Sequence, residues 1–229
     1  MAPVTFDQFV RIAWAYAAQA YPAELGWACS SRVPSGAEEW FCEYVWCVFC
    51  AGFSARVLSR RWGAVWDAYR GFSLEGAVDR ETILRVFGNA RKVDATLRVR
   101  EMLRATPWPE FRARYLTSLD TMQELPYIGP VLARHLARNT GWEVAKDDVH
   151  LARLCSRFGF RDAQEMCEAG ARILGQPVGA VDYALWRYCA DYGHAEGGSA
   201  GHREPCQAPR HRRSGGGSLP NMHGKGPTT

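Results

Sequence analysis

A chain of 229 residues, 47% of them hydrophobic, can bury a sizeable core, so it needs neither disulfides nor a structural metal ion to fold. The same composition excludes an intrinsically disordered protein. The net charge is only +4, and most of this excess lies after position 193, where Arg and Lys outnumber Glu. Any binding of nucleic acid by the rest of the chain would therefore depend on locally clustered Arg and Lys side chains.

Helical periodicity dominates the chain, and strand patterns are nearly absent. Thr5 can cap a helix whose apolar residues recur every three or four positions and which should end near Tyr21-Pro22. A loop is predicted at 34–36 and a basic stretch at 56–62. Further helices are predicted at about 38–53, 62–69, within 73–87, and at 90–103, 111–119, 149–158, 163–174 and 179–192, with Pro107 and Pro109 as breaks. We therefore expect an all-α domain of about ten helices over residues 1–193.

From position 194 onward, Gly, Ser, Pro, His and Arg replace the apolar residues. This composition predicts a disordered basic tail over 194–229. His202 and Cys206 have a spacing found in zinc sites, but no second pair of ligands is evident. We expect no metal ion and no cofactor.

The eight cysteines are best interpreted as thiols of a reduced, cytoplasmic protein, because the sequence shows no signal peptide and no apolar run that could span a bilayer. Cys42, Cys47 and Cys50 have the spacing of some iron–sulfur ligands. On one helix, however, they would fan over roughly 140° and could not converge on one cluster. We therefore expect them to be core thiols.

A tight turn between two helices is predicted within the hairpin 120–141. In the segment 125–133, Gly129 is free to take a positive φ, and Pro130 suits the first turn of a helix. A helix N-terminus presents unpaired N–H groups that can hold a DNA phosphate whatever the base sequence, although an ordinary helical hairpin would have the same turn. The residues expected to contact DNA here are Gly129, Val131, Arg134 and Arg138, with His135 close to them.

The residue order from Leu125 to Arg153 resembles the helix-hairpin-helix DNA glycosylase superfamily, in which the hairpin is followed by a loop with a catalytic Asp. By this resemblance, Asp148 is that Asp, and His150 matches a frequent neighbour of it. Val131 stands where bifunctional members such as endonuclease III carry a Schiff-base lysine. The resemblance therefore implies no lyase step through this position.

The segments 49–54 and 88–96 resemble the corresponding helices of 3-methyladenine DNA glycosylase I. Two features depart from these families. Tyr127 replaces a usual hairpin glycine, and the acidic base-reading residue expected near Cys47 is missing. Excision of methyladenine is therefore not the activity that we expect.

Taken whole, the chain is most similar to a phage family related to these glycosylases, the α-glutamyl/putrescinyl thymine pyrophosphorylases or amino acid:DNA transferases. The stretches that carry this resemblance are 87–92, 125–139, 146–151 and 181–188. It implies a monomeric enzyme in the cytoplasm of an infected bacterial host, with double-stranded DNA and an amino acid or other amine as its substrates. The enzyme would replace the phosphate or pyrophosphate on phosphorylated 5-hydroxymethyluracil with that amine.

Such a reaction requires the nucleotide to be flipped out of the duplex. Asp148 or His150 would take a proton from the ammonium nucleophile, and cations would stabilise the departing oxyanion. Lys146, Lys92 and Arg91 are the cations that we expect in this role. The expected substrate-binding set consists of Asn89, Arg91, Lys92, Tyr127 and Trp186, with Trp142 and Tyr188 as further aromatic candidates to cover the base.

Two alternatives remain open from the sequence. In a monofunctional DNA glycosylase, Asp148 would stabilise positive charge on the sugar or orient a water molecule while the base leaves. In a non-catalytic DNA-binding module, Asp148 would be dispensable. An Asp after a loop is often a helix cap, and Asp147 is the residue that we expect to serve as the cap here.

Overall fold

The computed structural model of this protein describes residues 3–30 and 33–193, and all regular secondary structure within these ranges is helical. In chain order the helices are α1 (Phe6–Ala20), α2 (Pro22–Cys29), α3 (Ala37–Cys50), α4 (Ala55–Ala68), α5 (Arg80–Val86), α6 (Ala90–Ala105), α7 (Trp108–Tyr115), α8 (Leu119–Met122), α9 (Pro130–Asn139), α10 (Val149–Phe158), α11 (Ala163–Leu174) and α12 (Val178–Tyr192). The predicted all-α class is confirmed. The predicted tail, with His202 and Cys206, lies outside the described residues.

Helix boundaries follow local capping signals where such signals are present. The Thr5 hydroxyl accepts the N–H of Gln8, and the Gln8 side chain accepts the N–H of Thr5, which fixes the start of α1. Helices α10 and α11 begin at aspartates and end at Gly159 and Gly175, both in the left-handed conformation. These boundaries were predicted correctly because both signals can be read from the sequence.

Two helical regions differ from the prediction. Pro22 was interpreted as the end of the first helix, but it occupies the first turn of a second one, α2, where its missing N–H costs no hydrogen bond. The basic stretch 56–62, which was assigned to no helix, belongs to α4. No helix within the described ranges is both long enough and apolar enough to cross a membrane.

Helix α12 is surrounded by α1, α2, α10 and α11. These five helices are called here the α12 group. Their core is built mostly from non-aromatic apolar side chains, such as Val10, Leu151, Met166, Val181 and Leu185. All five are fully buried. The first and last parts of the domain are therefore held together in one core.

The apolar helix α3 has α4, α6 and α9 among its neighbours. Helices α3 to α9 are called here the α3 group. Their core is largely aromatic. Phe49 and Phe87 stack with ring centroids 3.8 Å apart, and Phe41 packs edge-on against Tyr69 and Phe72. Such rings bury large apolar areas in fixed orientations, which makes α3 a rigid element.

The contact of α11 with α1 and α12 depends on Gly170, because a Cβ built there would lie 2.7 Å from Cγ1 of Val181 and 3.1 Å from Cγ2 of Val10. Gly170→Ala should lower the free energy of unfolding by about 1–3 kcal/mol through overpacking. Gly63→Ala is the matched control, since Gly63 lies in α4 with nothing within 4 Å of the same position. It should raise stability by roughly 0.5–1 kcal/mol. Calorimetry should therefore show shifts in Tm of opposite sign, and a rise in both would contradict this packing.

Candidate functional site

The predicted hairpin consists of α8, the segment 123–129 and α9. Leu125 and Ile128 anchor the segment in the core, and the Tyr44 hydroxyl donates a hydrogen bond to the carbonyl of Pro126. Pro130 begins α9, as predicted. These contacts fix the turn against α3.

The left-handed residue of the turn is Tyr127, with φ 68°, whereas Gly129 has φ −103° and ψ −178°. The prediction of a positive φ at Gly129 is therefore wrong. Tyr127 takes the conformation that a glycine would take freely, at a cost of roughly 1–2 kcal/mol. Its ring lies near two cations, with its centroid 5.5 Å from Cζ of Arg91 and 5.8 Å from Nζ of Lys92. Attraction between the cations and the ring offsets part of that cost.

The N-terminus of α9 is open to solvent. Nothing lies within 4 Å of a Cβ built on Gly129, and the side chain of Val131 is 47% exposed. The first N–H groups of a helix have no acceptor within it, so this end can hold an anion. Arg134 is partly buried, with Nη1 3.5 Å from the carbonyl oxygen of Ala145.

Arg138 differs from its predicted place on a DNA-binding surface. Its guanidinium forms a buried ion pair with Asp182 of α12, and the two side chains are 13% and 1% exposed. His135 is buried as well. Arg138 is thus committed to Asp182 and His135 is buried, so Arg134 is the basic residue expected near DNA on this helix that has neither constraint.

Asp148 is the N-cap of α10. Its Oδ1 accepts the backbone N–H of His150 at 2.9 Å and that of Leu151 at 3.2 Å. Its Oδ2 lies 3.7 Å from Nζ of Lys146. The cap is therefore Asp148 itself and not Asp147, and all three predicted catalytic residues lie within one short stretch of backbone. The capping bonds hold the carboxylate in a fixed orientation toward Lys146.

Four of the five predicted substrate-binding residues lie together where α6 begins beside the hairpin turn. Asn89 caps α6 by accepting the N–H of Lys92, and Arg91 and Lys92 both approach the ring of Tyr127. The Lys92 ammonium is committed to the end of α3, where Nζ donates to the carbonyls of Phe49 (3.0 Å) and Ala51 (2.5 Å). Burial lowers the pKa of Lys92. Arg91, which is exposed, is the more accessible cation of the two.

Cys50 connects this cluster to the surroundings of Asp148. Burial raises the pKa of the Cys50 thiol to about 12, and Lys146 and Lys92 both oppose that shift. Both ammonium groups are therefore close to the last turn of α3. The thiol itself is neutral at physiological pH.

A buried polar network lies between α3, α9 and α12 and was not predicted from the sequence. Nη2 of Arg138 donates to Oδ1 of Asn139 at 3.4 Å, and Nδ2 of Asn139 donates to Oε2 of Glu43 at 3.2 Å and to Sγ of Cys47 at 3.6 Å. Glu43 is thus an acidic residue near Cys47, one helical turn earlier, buried in this network. The spacing of Glu43 and Cys47, four residues apart on one helix face, was the available signal.

His135 borders the same network. Burial lowers the pKa of His135 well below its ordinary value, and the positive charges of Lys146 and Arg138 lower it further. The imidazole is therefore neutral near pH 7. A neutral ring adds no charge of its own to the site.

The predicted aromatic residues lie apart from one another. Trp186 packs beside Tyr183 in the core between α2 and α12, with the guanidinium of Arg187 above its ring. Trp142 lines a cavity together with Trp40 and Trp108. Tyr188 packs edge-on against Phe9 of α1. Of the aromatic candidates, Tyr127 is the one placed next to other predicted site residues.

Cys42, Cys47 and Cys50 lie on one helix, α3, and are partly or fully buried. Within the ranges 3–30 and 33–193, no group of three or more His, Cys, Asp or Glu side chains is arranged to hold a metal ion. The chemistry of the described site therefore has to be considered in terms of Asp148, Lys146 and their neighbours.

No protein-family model matches this chain, and no curated protein matches it significantly. Among solved structures, the chain is similar to the crystal structure of Tm1821, the 8-oxoguanine DNA glycosylase of Thermotoga maritima. The two share 20% sequence identity with a TM-score of 0.59, over 83% of this chain and 99% of the other. With its hairpin, its capping Asp148 and this likeness, the chain has the helix-hairpin-helix DNA glycosylase fold.

Proposed function

We propose that this chain is an enzyme that acts on a base in double-stranded DNA and that Asp148 is its central acidic group. One observation carries the proposal. The Asp148 carboxylate is fixed at the start of the helix that follows the hairpin, with a cation 3.7 Å away and its side chain 13% exposed. A carboxylate held in this way can accept a proton or stabilise a developing positive charge.

The specific reaction that we propose is transfer of an amine to phosphorylated 5-hydroxymethyluracil in DNA. The amine nitrogen forms a bond to the exocyclic methylene carbon, and the bond from that carbon to the phosphate oxygen breaks. Asp148 takes the proton released by the ammonium nucleophile, with His150 as the other candidate base. Lys146 and Arg91 stabilise the departing phosphate or pyrophosphate. The stretches 87–92 and 146–151, which carry the resemblance to the phage transferases, contain these residues.

A monofunctional DNA glycosylase is the second candidate, and the fold shared with an 8-oxoguanine DNA glycosylase favours it. In that reaction Asp148 would stabilise positive charge on the sugar as the base leaves. Val131 provides no amine for a Schiff base, so the sugar–phosphate backbone would stay intact. The transferase and the glycosylase use the same carboxylate and differ in the bond that breaks.

DNA would be held through the open N-terminus of α9. Its unpaired N–H groups can bind a phosphate, and Gly129 and Val131 leave the approach unobstructed. Arg134 adds a positive charge one turn further along the helix. We propose that the protein works as a monomer in the cytoplasm of an infected bacterium.

Affinity for duplex DNA should fall steeply between low and physiological salt, because phosphate contacts release counterions. Val131→Glu places a negative charge at the start of α9 and should weaken binding by about tenfold or more at low salt. Ile12→Glu is the control, since Ile12 is 48% exposed on α1 and lies outside the hairpin. Fluorescence anisotropy with a labelled duplex would measure both variants. Equal affinities of the two variants for the duplex would show that the hairpin does not contact DNA.

Asp148→Asn should abolish turnover and leave DNA affinity unchanged, because the amide keeps a capping oxygen but loses the charge and basicity of the carboxylate. Asp162→Asn is the matched control: Asp162 caps α11, accepting the N–H of Glu165 at 2.8 Å. Both variants should lose similar, small amounts of stability, and only the first should lose activity. Retained turnover in Asp148→Asn would favour His150 or Asp147 as the base.

The products of the reaction separate the two candidate enzymes. The protein is incubated with DNA that carries phosphorylated or pyrophosphorylated 5-hydroxymethyluracil and with a mixture of amino acids and polyamines. After digestion to nucleosides, mass spectrometry should show a nucleoside heavier than thymidine by an attached amine, with no alkali-labile abasic sites. Abasic sites without the aminated nucleoside would establish the glycosylase instead. If neither product forms, a DNA-binding module becomes the better description.

A further inference from the structure

The loop that carries Lys146 and Asp148 contains no helix or strand from position 140 to 148. Its polar backbone groups therefore need partners outside regular secondary structure. Ala145, the residue directly before Lys146, is fully buried. Leaving its N–H or its carbonyl without a partner would be costly, so the groups that pair with Ala145 also fix the point at which Lys146 begins.

Gln164, in the first turn of α11, binds this loop with both ends of its side-chain amide. Its Oε1 accepts the N–H of Ala145 at 2.8 Å, and its Nε2 donates to the carbonyl oxygen of Glu143 at 3.0 Å. Nε2 also donates to Oε1 of Glu168, one turn further along α11, at 3.0 Å. The amide is therefore held in one orientation, because an oxygen in the place of Nε2 would face two acceptors.

Two further contacts tie the same segment to other helices. Oε2 of Glu143 accepts the N–H of Val178, at the start of α12, at 2.9 Å. The carbonyl oxygen of Ala145 lies 3.5 Å from Nη1 of Arg134 in α9. The contact with Arg134 is the longest of these, so the bonds made by Gln164 contribute most to the position of Ala145.

Asp148 is held differently from Lys146. The Asp148 carboxylate accepts backbone N–H groups of α10 and keeps its place at the start of that helix without α11. Lys146 is joined to Asp148 by its carbonyl, which accepts the N–H of Asp148 at 3.0 Å, and by the ion pair of 3.7 Å. The position of the ammonium relative to the carboxylate is therefore set on one side by the cap of α10 and on the other by the segment 143–145.

We propose that Gln164 is a positioning residue that holds the segment 143–145 and thereby places the Lys146 ammonium beside the Asp148 carboxylate. The inference rests on the function proposed above, in which Asp148 takes a proton and Lys146 stabilises the departing phosphate. Without the Gln164 amide, Ala145 loses its hydrogen-bond acceptor, and the loop can move while the cap of α10 stays in place. Lys146 then leaves the site and Asp148 remains.

Two substitutions remove the amide in different ways. Gln164→Glu keeps the size of the side chain and an acceptor for Ala145, but it places a carboxylate oxygen against the carbonyl of Glu143 and the carboxylate of Glu168. Gln164→Met keeps the length and removes both hydrogen-bonding groups. Gln8→Glu is the matched control, because Gln8 lies in the first turn of α1 and uses its side-chain oxygen as an acceptor, which the change preserves. All three variants should fold, since a negative charge is favourable in the first turn of a helix and Met suits a helix well.

Amide exchange followed by ¹H–¹⁵N NMR measures the loop and the cap separately. In both Gln164 variants, the amides of Ala145 and Asp148 should lose exchange protection by about tenfold or more. The amides of His150 and Leu151, which Asp148 caps, should keep their protection to within about twofold. Gln8→Glu should leave all of these amides unchanged.

Turnover separates a positioning role from a role in stability. In Gln164→Glu, kcat should fall by about tenfold or more, because the cation that stabilises the leaving group is displaced, while KM for the DNA substrate stays the same. Lys146→Gln should lower kcat to a similar extent. The double variant Gln164→Glu with Lys146→Gln should be no slower than Lys146→Gln alone, because Gln164 acts through Lys146.

Three results would overturn the inference. The first is protection of Ala145 and Asp148 that stays at the parent level in the Gln164 variants. The second is an equal loss of protection at Leu151, or failure of both variants to fold, either of which would mean a role in stability alone. The third is a double variant in which the two losses of kcat multiply. If the parent modifies no DNA and the amides still respond as expected, the proposed function fails while the positioning of the loop by Gln164 stands.

Discussion

The ion pair between Arg138 and Asp182 is the constraint on which the rest of the site depends. It links α9, which belongs to the α3 group, to α12, around which the other helices pack. The loop with Lys146 and Asp148 runs between α9 and α10, so its position depends on how these two groups meet. A buried charge pair favours one relative position of the two helices, because any shift of one helix leaves an unpaired ion in a medium of low dielectric constant.

Helix α3 is the second organising element. Its aromatic packing makes it rigid, and its polar side chains and terminal carbonyls bind groups from three other parts of the chain. Glu43 accepts a hydrogen bond from α9, the carbonyls of Phe49 and Ala51 accept the ammonium of Lys92 from α6, and Tyr44 donates to the hairpin turn. The hairpin and the start of α6 are thus placed relative to one common support, as the preorganisation of a binding site requires.

The sequence was informative wherever a structural signal is local. Helices α10 and α11 lie within a residue of their predicted bounds, where Asp and Gly residues cap them, and helical periodicity predicted the all-α class. Features that depend on tertiary contacts were missed. Which side of α9 meets α12 decides whether Arg138 faces solvent or Asp182, and helical periodicity alone leaves both choices open. Likewise, Tyr127 takes the left-handed conformation in the turn because Pro126 and Ile128 are held by contacts with the core, whereas the sequence pointed to Gly129.

Asp148 both caps α10 and supplies the carboxylate of the site, and these two roles can be separated during evolution. Asn, Ser and Thr also cap helices well, so exchanging the acid for one of them removes the charge and preserves the first turn of α10. The catalytic role proposed for Asp148 can therefore be lost in one step without loss of structure or of the hairpin surface. A descendant of that kind would keep the fold and the open N-terminus of α9 and would lack only the carboxylate.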